Sequence, residues 1–274
     1  MKLQPDQIRK SLSKLRKQLN AIAPDPRPEE VHDLRTHTRR VEATIAAVAL
    51  EQEKKARRLL KLIKPVRKAA GEVRDMDVMI GDVLTLCSDK GGEPAVRLVQ
   101  HLAKVRVRNA RRLHQLVGRQ RREIRDHLTQ SAKLIRKKMK GDMADLDGES
   151  APQILITELS HWPGLDAANL HLFRIRIKEL RYMLLLNEQV DQKLVDELGE
   201  AKDTIGEWHD WVELERIASK VLDPKSDGDL LKRIERTRLE KLQIALAAAN
   251  RVRERYFSVP DGRKPTRKVL QMAS

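Results

Sequence analysis

Apolar residues recur along most of this chain at the spacing of an α-helix. Ile8, Leu12, Leu15 and Leu19 follow one another at steps of 4, 3 and 4, which predicts an amphipathic helix over Asp6–Leu19. The Pro-punctuated segment APDPRPEE (Ala23–Glu30) reads as a loop. Within it, Pro28 followed by Glu29 and Glu30 marks a helix start, with a preset φ and acids at the positive end of the helix dipole. That helix carries Val31, Leu34, Val41, Ile45 and Val48 and is expected to run past Leu50. A further helical stretch opens at Glu53, and Pro65 is expected to end or kink it near Lys64. Gly71 punctuates the next stretch, Val73–Leu86 reads as helix, and Ser88–Pro94 as a loop. Arg97–Lys140 is helical in pattern, with Gly118 expected to divide it into two helices. Helices resume over 166–187, 192–221 and 229–256. GDMADLDGESAP (Gly141–Pro152) is acidic and without periodicity, the natural boundary between two halves. The expected organisation is an N-terminal half over 1–145, a C-terminal half over 146–258 and a loose basic tail over 259–274.

The two halves are related to each other. VHDLRTHTRRVEA (Val31–Ala43) aligns without gaps with LHLFRIRIKELRY (Leu170–Tyr182), matching His32, Arg35 and Arg39 with His171, Arg174 and Lys178. Farther on, RKAAGEVRD (Arg67–Asp75) aligns with KDTIGEWHD (Lys202–Asp210), matching Arg67, Gly71, Arg74 and Asp75 with Lys202, Gly206, His209 and Asp210. The two offsets differ by about one helical turn, an indel that leaves the helix face unchanged. The pattern predicts a duplicated helical unit. At about 100° per residue, His32, Arg35 and Arg39 share an arc of roughly 60°, and His171, Arg174, Lys178 and Arg181 share roughly 80°. These cations flank the apolar stripe, so their stems can lie on apolar surface while their heads face a groove. From the repeat alone, the aligned face serves equally as a binding row or as an interhelix salt-bridge network.

Composition narrows the class. With 274 residues the chain can build one large core or two smaller ones. Apolar residues at 40% exclude wholesale disorder, and only 3 Trp, 2 Tyr and 2 Phe argue against a strand-rich fold. The one Cys, Cys87, forms neither an intrachain disulfide nor a Cys-based zinc site. The opening MKLQPDQIRKSL has no apolar run, so no secretory signal is expected, and no stretch is apolar enough for a membrane helix. Lys and Arg number 56 against 40 Asp and Glu, a formal charge of +16. Residues 97–140 alone hold 15 Lys and Arg with just Glu123 and Asp126 as acids. Such a surface calls for a polyanion: nucleic acid, a phosphate polymer or acidic lipid.

The motifs resemble those of the CHAD domain, a helical family named for recurrent histidines. Its first signature resembles Val31, His32, Arg35, Arg39 and Arg40, and its later one Leu170, His171, Arg174, Lys178, Arg181 and Tyr182. The stretches Gly71–Val78 and Gly206–Asp210 are also similar to the family's, and the likeness spans about residues 6–257. The resemblance implies an all-α fold of two pseudo-symmetric antiparallel helical bundles around a basic groove that binds inorganic polyphosphate. It implies a binding module without catalysis, cofactor or metal, cytoplasmic, with targeting to polyphosphate granules. On this basis His32, Arg35, Arg39, Arg40, Arg67, Arg74, His171, Arg174, Lys178, Arg181, Lys202 and His209 are expected to bind polyphosphate, with Asp75 and Asp210 orienting neighbouring Arg or His. Glu42 stands where Arg181 stands in the second repeat and is expected to weaken that half of the groove.

The chemistry suits such a ligand. Arg grips two phosphate oxygens at once, Lys acts as a mobile point charge, and His gains charge beside a polyanion. The alternative is an arginine-rich helical nucleic-acid binder, disfavoured by scarce aromatic platforms and the lack of a helix-turn-helix pattern. An enzyme of phosphate transfer would need an acidic metal cluster or a nucleophile, and neither stands out. Glu51, Glu53 and Lys55 match a triphosphate-tunnel pattern that works on a strand, whereas these lie in a helical stretch. His101, His114 and His127 do not share a helix face. Arg106, Arg108, Arg111, Arg112, Arg119, Arg121, Arg122 and Arg125 are expected to point all around their helices, raising local potential without lining one groove. Trp162, Trp208 and Trp211 are read as core or interface anchors.

Overall fold

A computed structural model describes residues 5–48, 50–87, 92–140, 151–185 and 191–257. Every regular element among these residues is helical: α1 (Pro5–Ala21), α2 (Pro28–Ala47), α3 (Lys54–Leu86), α4 (Gly92–Lys140), α5 (Ala151–Ser160), α6 (Leu170–Leu184), α7 (Gln192–Val221) and α8 (Gly228–Val252), closed by a π-helical turn at Arg253–Phe257. The expected tail over 259–274 lies outside the described residues, as do 88–91 of the expected 88–94 loop and 141–150 of the expected boundary segment.

The chain forms two compact units. The N-terminal unit draws on residues 5–143 and 217–231, the C-terminal unit on 144–216 and 232 onward. In the N-terminal unit α2 packs on α3, α3 runs along α4, and α1 fits against both α2 and α4. Its core is aliphatic, with Leu15, Leu19, Leu34, Ile45, Leu59, Ile63, Leu98, Leu102, Leu113 and Ile124 fully buried. Burial of each such side chain contributes about 1.5–3 kcal/mol. In the C-terminal unit α5 packs on α6 and on the π turn, and Phe173 and Phe257 fill the interior. Trp162 meets Phe173 edge-on with ring centroids 5.7 Å apart, and Trp208 and Trp211 are buried, so the tryptophans act as anchors.

α2 begins where its sequence says it should. The Arg27 backbone N–H donates to Glu30 Oε2 at 2.9 Å, closing the first turn on the side chain of its own third residue. The helix stops at Ala47 rather than passing Leu50; Val48 is in a turn and Glu51–Glu53 lead into α3. Pro65 does not end α3. It is exposed, as are Lys61 and Lys64, so its missing amide faces water while Leu62, Ile63 and Val66 remain buried on the other side. Gly71 likewise lies inside α3. Gly118 does not divide α4, an uninterrupted helix of 49 residues. Glu51 and Glu53 lie in the α2–α3 turn, with Lys55 in the first turn of α3.

The arginines of α4 point around the helix as expected, from inward-facing Arg106 to outward-facing Arg111, yet a subset of the cations lines up opposite the core. Leu102, Leu113, Val117, Ile124, Leu128 and Ile135 form one buried stripe. Lys104, Arg108, Arg111, Arg122, Arg125 and Lys133 fall within about 100° on the opposite side. Arg106 turns inward, where Nε donates to Asp77 Oδ1 at 2.9 Å and the Nη atoms reach Asp25 and the Pro26 carbonyl.

Candidate functional site: guanidinium groups seated on helix glycines

In the N-terminal unit α2 carries His32, Arg35, Arg39 and Arg40, and α3 carries Arg67, Arg74 and Asp75. His32 is exposed, with Nε2 3.4 Å from Thr36 Oγ1 one turn along. Arg40 is exposed, while Arg35, Arg39, Arg74 and Asp75 are half-buried. The Arg35 guanidinium lies over Gly71 of α3, and a Cβ at Gly71 would sit 3.5 Å from Arg35 Nε. The cation thus packs on α3 at Gly71, where a Cβ would be in ordinary contact. Arg67 is engaged otherwise. Its Nε donates to Glu42 Oε1 at 2.9 Å, in an ion pair whose side chains are 21% and 23% exposed. The acid that replaces an Arg in this repeat thus offsets a second cation as well.

In the C-terminal unit the arrangement recurs with tighter approaches. Arg174 of α6 donates from Nε to the Lys202 carbonyl of α7 at 3.0 Å, and its guanidinium crosses Gly206. A Cβ there would meet Arg174 Nη2 at 2.6 Å and Cζ and Nε at 3.2 Å. About two helical turns along α6, Arg181 repeats the device on Gly199, its Nε donating to the Val195 carbonyl at 3.0 Å and standing 3.1 Å from a Cβ at Gly199. In both cases a charged donor meets a backbone carbonyl, which fixes the guanidinium plane. Lys178 is buried at 5% exposure, the most enclosed of the predicted cations. Lys202 pairs through Nζ with its neighbour Asp203, and Asp210 is half-buried.

The structure also brings together His171 and His209, whose rings lie 4.2 Å apart at 45°. Burial pushes the pKa of each below the ordinary histidine value, and Arg174 and Lys178 beside His171 push the same way. Glu213 opposes both shifts. Both rings are thereby biased toward the neutral form, available as single hydrogen-bond donors. The His171 Nδ1 is buried without a hydrogen-bond partner among the described residues. His37 was not foreseen as part of this region. It is buried on α2 with its pKa lowered chiefly by burial and then by Arg40, and no spacing rule singled it out.

Each unit therefore presents cations whose positions are set by a second helix's backbone, with histidines beside them. Such an arrangement fixes the direction of the guanidinium groups, which suits an anion with many oxygens and no shape to read. Comparison with known proteins gives a consistent identity. The solved CHAD domain from the plant Ricinus communis shares this fold with a TM-score of 0.64 over 91% of this chain and 89% of that one, at 18% identity. No curated protein sequence matches the chain. The family model for the CHAD domain matches residues 6–219, so the chain belongs to the CHAD-domain family.

Proposed function

We propose that this protein binds inorganic polyphosphate without catalysing its turnover, through the cations of α2 and α3 in one unit and of α6 and α7 in the other. The observation that carries the reading is the Arg-on-Gly seat, found as Arg35 on Gly71 and as Arg174 on Gly206. Membership of a family associated with polyphosphate-related proteins supports the same ligand. We read the chain as two copies of one helical unit, 1–145 and 146–258, followed by a basic tail over 259–274. Among the described residues no helix is long and apolar enough to cross a membrane, and we place the protein in the cytoplasm, associated with polyphosphate granules.

Asp75 and Asp210 orient the neighbouring Arg and His side chains in this reading. Arg67 and Lys202 each share their charge with an acid, Glu42 and Asp203. The test is titration with long-chain polyphosphate of a variant carrying Arg35→Glu, Arg39→Glu and Arg174→Glu. Lys178 is changed to Met in a separate variant, since an acid at a 5% exposed position would unfold the unit for unrelated reasons. Binding should be abolished in the triple variant with helicity retained. Unchanged binding, or collapse of the fold, would assign these cations to structural bracing instead. Duplex DNA or RNA displacing polyphosphate at equal phosphate concentration would favour a nucleic-acid ligand, and phosphate release with magnesium or manganese would indicate an enzyme.

A further inference from the structure

The proposed polyphosphate rows leave the strongest concentration of positive charge in the chain unused. α4 is one continuous helix, and its outward face carries Lys104, Arg108, Arg111, Arg122, Arg125 and Lys133. From Lys104 to Lys133 the ridge extends roughly 44 Å at 1.5 Å per residue. Five of these six side chains are exposed and Arg125 is half-buried, directly opposite the buried stripe.

The inward-facing charge of this unit is treated differently. Arg106 is matched with Asp77 and Asp25, Arg97 with Asp227, and Arg67 with Glu42. Along the ridge, Arg111, Arg122 and Arg125 have no ion pair among the described residues. A solvated face tolerates cations singly, but a run of them with almost no acid destabilises itself by repulsion unless something anionic offsets it.

The ridge also has relief. Beside α1 it forms a concavity of about 610 Å³, lined by Arg16, Gly118, Arg121, Arg122, Arg125 and Asp126. Gly118 is exposed and a Cβ there would meet nothing within 4 Å, so the helix backbone itself is accessible on this wall. Four guanidinium groups from two helices surround the space against one carboxylate. Arg121 Nε is buried without a hydrogen-bond partner among the described residues.

We infer that the α4 ridge, anchored at the Arg16–Arg121–Arg122–Arg125 concavity, is a second binding surface for the same polyphosphate ligand, engaged by chains long enough to run along the helix. This rests on the polyphosphate reading above. A phosphate polymer is favoured over nucleic acid because Val107 is the apolar neighbour of the ridge cations and no aromatic ring stands among them for a base to stack on.

The experiment compares wild type with Arg122→Glu/Arg125→Glu, using long-chain polyphosphate, tripolyphosphate and single-stranded RNA over a range of salt. The milder Arg122→Gln/Arg125→Gln variant guards against a folding defect. The reversed pair should weaken long-chain polyphosphate at least tenfold and leave tripolyphosphate within about twofold. It should also flatten the dependence of log K on log salt by about 1.4, at about 0.7 for each phosphate no longer neutralised. The neutral pair should shift the same quantities in the same direction by a smaller amount. Wild type that binds polyphosphate while both variants match it in affinity and salt slope would overturn the ridge alone. Wild type that binds no polyphosphate would overturn the ligand reading itself. Loss of RNA binding with polyphosphate binding intact would reassign the ridge to nucleic acid and overturn the inference.

Discussion

Alanine at Gly206 would put its Cβ 2.6 Å from Arg174 Nη2 and 3.2 Å from Arg174 Cζ and Nε, so the guanidinium must leave its seat. Two opposed terms follow. Alanine in a helix interior is favoured over glycine by about 1 kcal/mol. Displacing Arg174 breaks its 3.0 Å bond to the Lys202 carbonyl, a charge-assisted bond whose loss costs about 1.5–3 kcal/mol. The net is a destabilisation of about 0.5–2 kcal/mol, a lowering of the melting temperature by a few degrees for a chain of this size. The other seats make the comparison internal. Gly71→Ala meets Arg35 Nε at an ordinary 3.5 Å and should keep nearly the whole propensity gain, whereas Gly199→Ala meets Arg181 Nε at 3.1 Å and should be near neutral. Thermal unfolding followed by circular dichroism should therefore rank Gly71→Ala above Gly199→Ala above Gly206→Ala. In an Arg174→Ala background, Gly206→Ala should become stabilising by about 1 kcal/mol, because the clash has gone and the propensity gain remains. If Gly206→Ala raises the melting temperature as far as Gly71→Ala does, or acts identically with and without Arg174, the guanidinium does not pack on the glycine and the reasoning fails.

Glu42→Gln should free Arg67 to act on a polyanion, tightening polyphosphate several-fold and steepening the salt slope by up to about 0.7, while the lost ion pair lowers stability by up to about 1 kcal/mol; equal affinity and slope in the variant would show that Arg67 does not meet the ligand. For His171 and His209 the folded-state pKa lies below the ordinary 6.5, so as pH falls through 6.5 the unfolded chain takes up protons first and stability declines until the folded-state values are passed. His171→Gln/His209→Gln should flatten that decline in melts between neutral and mildly acidic pH, and polyphosphate, by favouring the charged rings, should bind the parent protein with proton uptake; a parent with no such decline would refute the buried-pair reading. Asp227 accepts from Arg97 Nη2 at 2.7 Å and from the Asp223 amide at 2.9 Å, and Arg97 above all holds its carboxyl below the ordinary 3.8. The stabilisation is present above 3.8 and fades as pH drops toward the lowered value, so Asp227→Asn should melt a few degrees lower at neutral pH and lose less on acidification; parallel melting curves for both proteins would count against it.

The helical character of the chain was legible because one-face periodicity survives any tertiary arrangement, as in Ile8, Leu12, Leu15 and Leu19. Interruptions were harder to read. Pro65 and Gly118 look like breakers locally, yet both lie on exposed faces where buried neighbours, Ile63 and Val66 for one, Leu113 and Val117 for the other, keep the helix running. Helix α5 was not foreseen, although Leu155, Ile156 and Leu159 are buried there, because ten residues hold too few turns for a clear period. At the site, the shared faces of His32 and Arg35, and of His171 and Arg174, followed from spacing alone. What each touches did not. The His171–His209 ring pair, the Asp77–Arg106 bond and the Glu42–Arg67 pair join residues 25 to 38 positions apart, and depend on how one helix lies against the next. Gly71 and Gly206 were visible as aligned glycines, but their purpose emerges only with an arginine in place above them.

The proline inside α3 has a consequence for how that helix breathes. Residue 65 has no amide to offer, so the carbonyl four positions back, at Lys61, lacks its intrahelical donor on an exposed edge. With one intrahelical bond missing on an exposed edge, this turn is where opening of the helix, into a stretch before it and a stretch after, is expected first. Arg67, Gly71 and Arg74 all ride on the far stretch. Occupancy by an anion should then be readable in deuterium uptake, as slower labelling of the turn just before the cations rather than of the core beneath them.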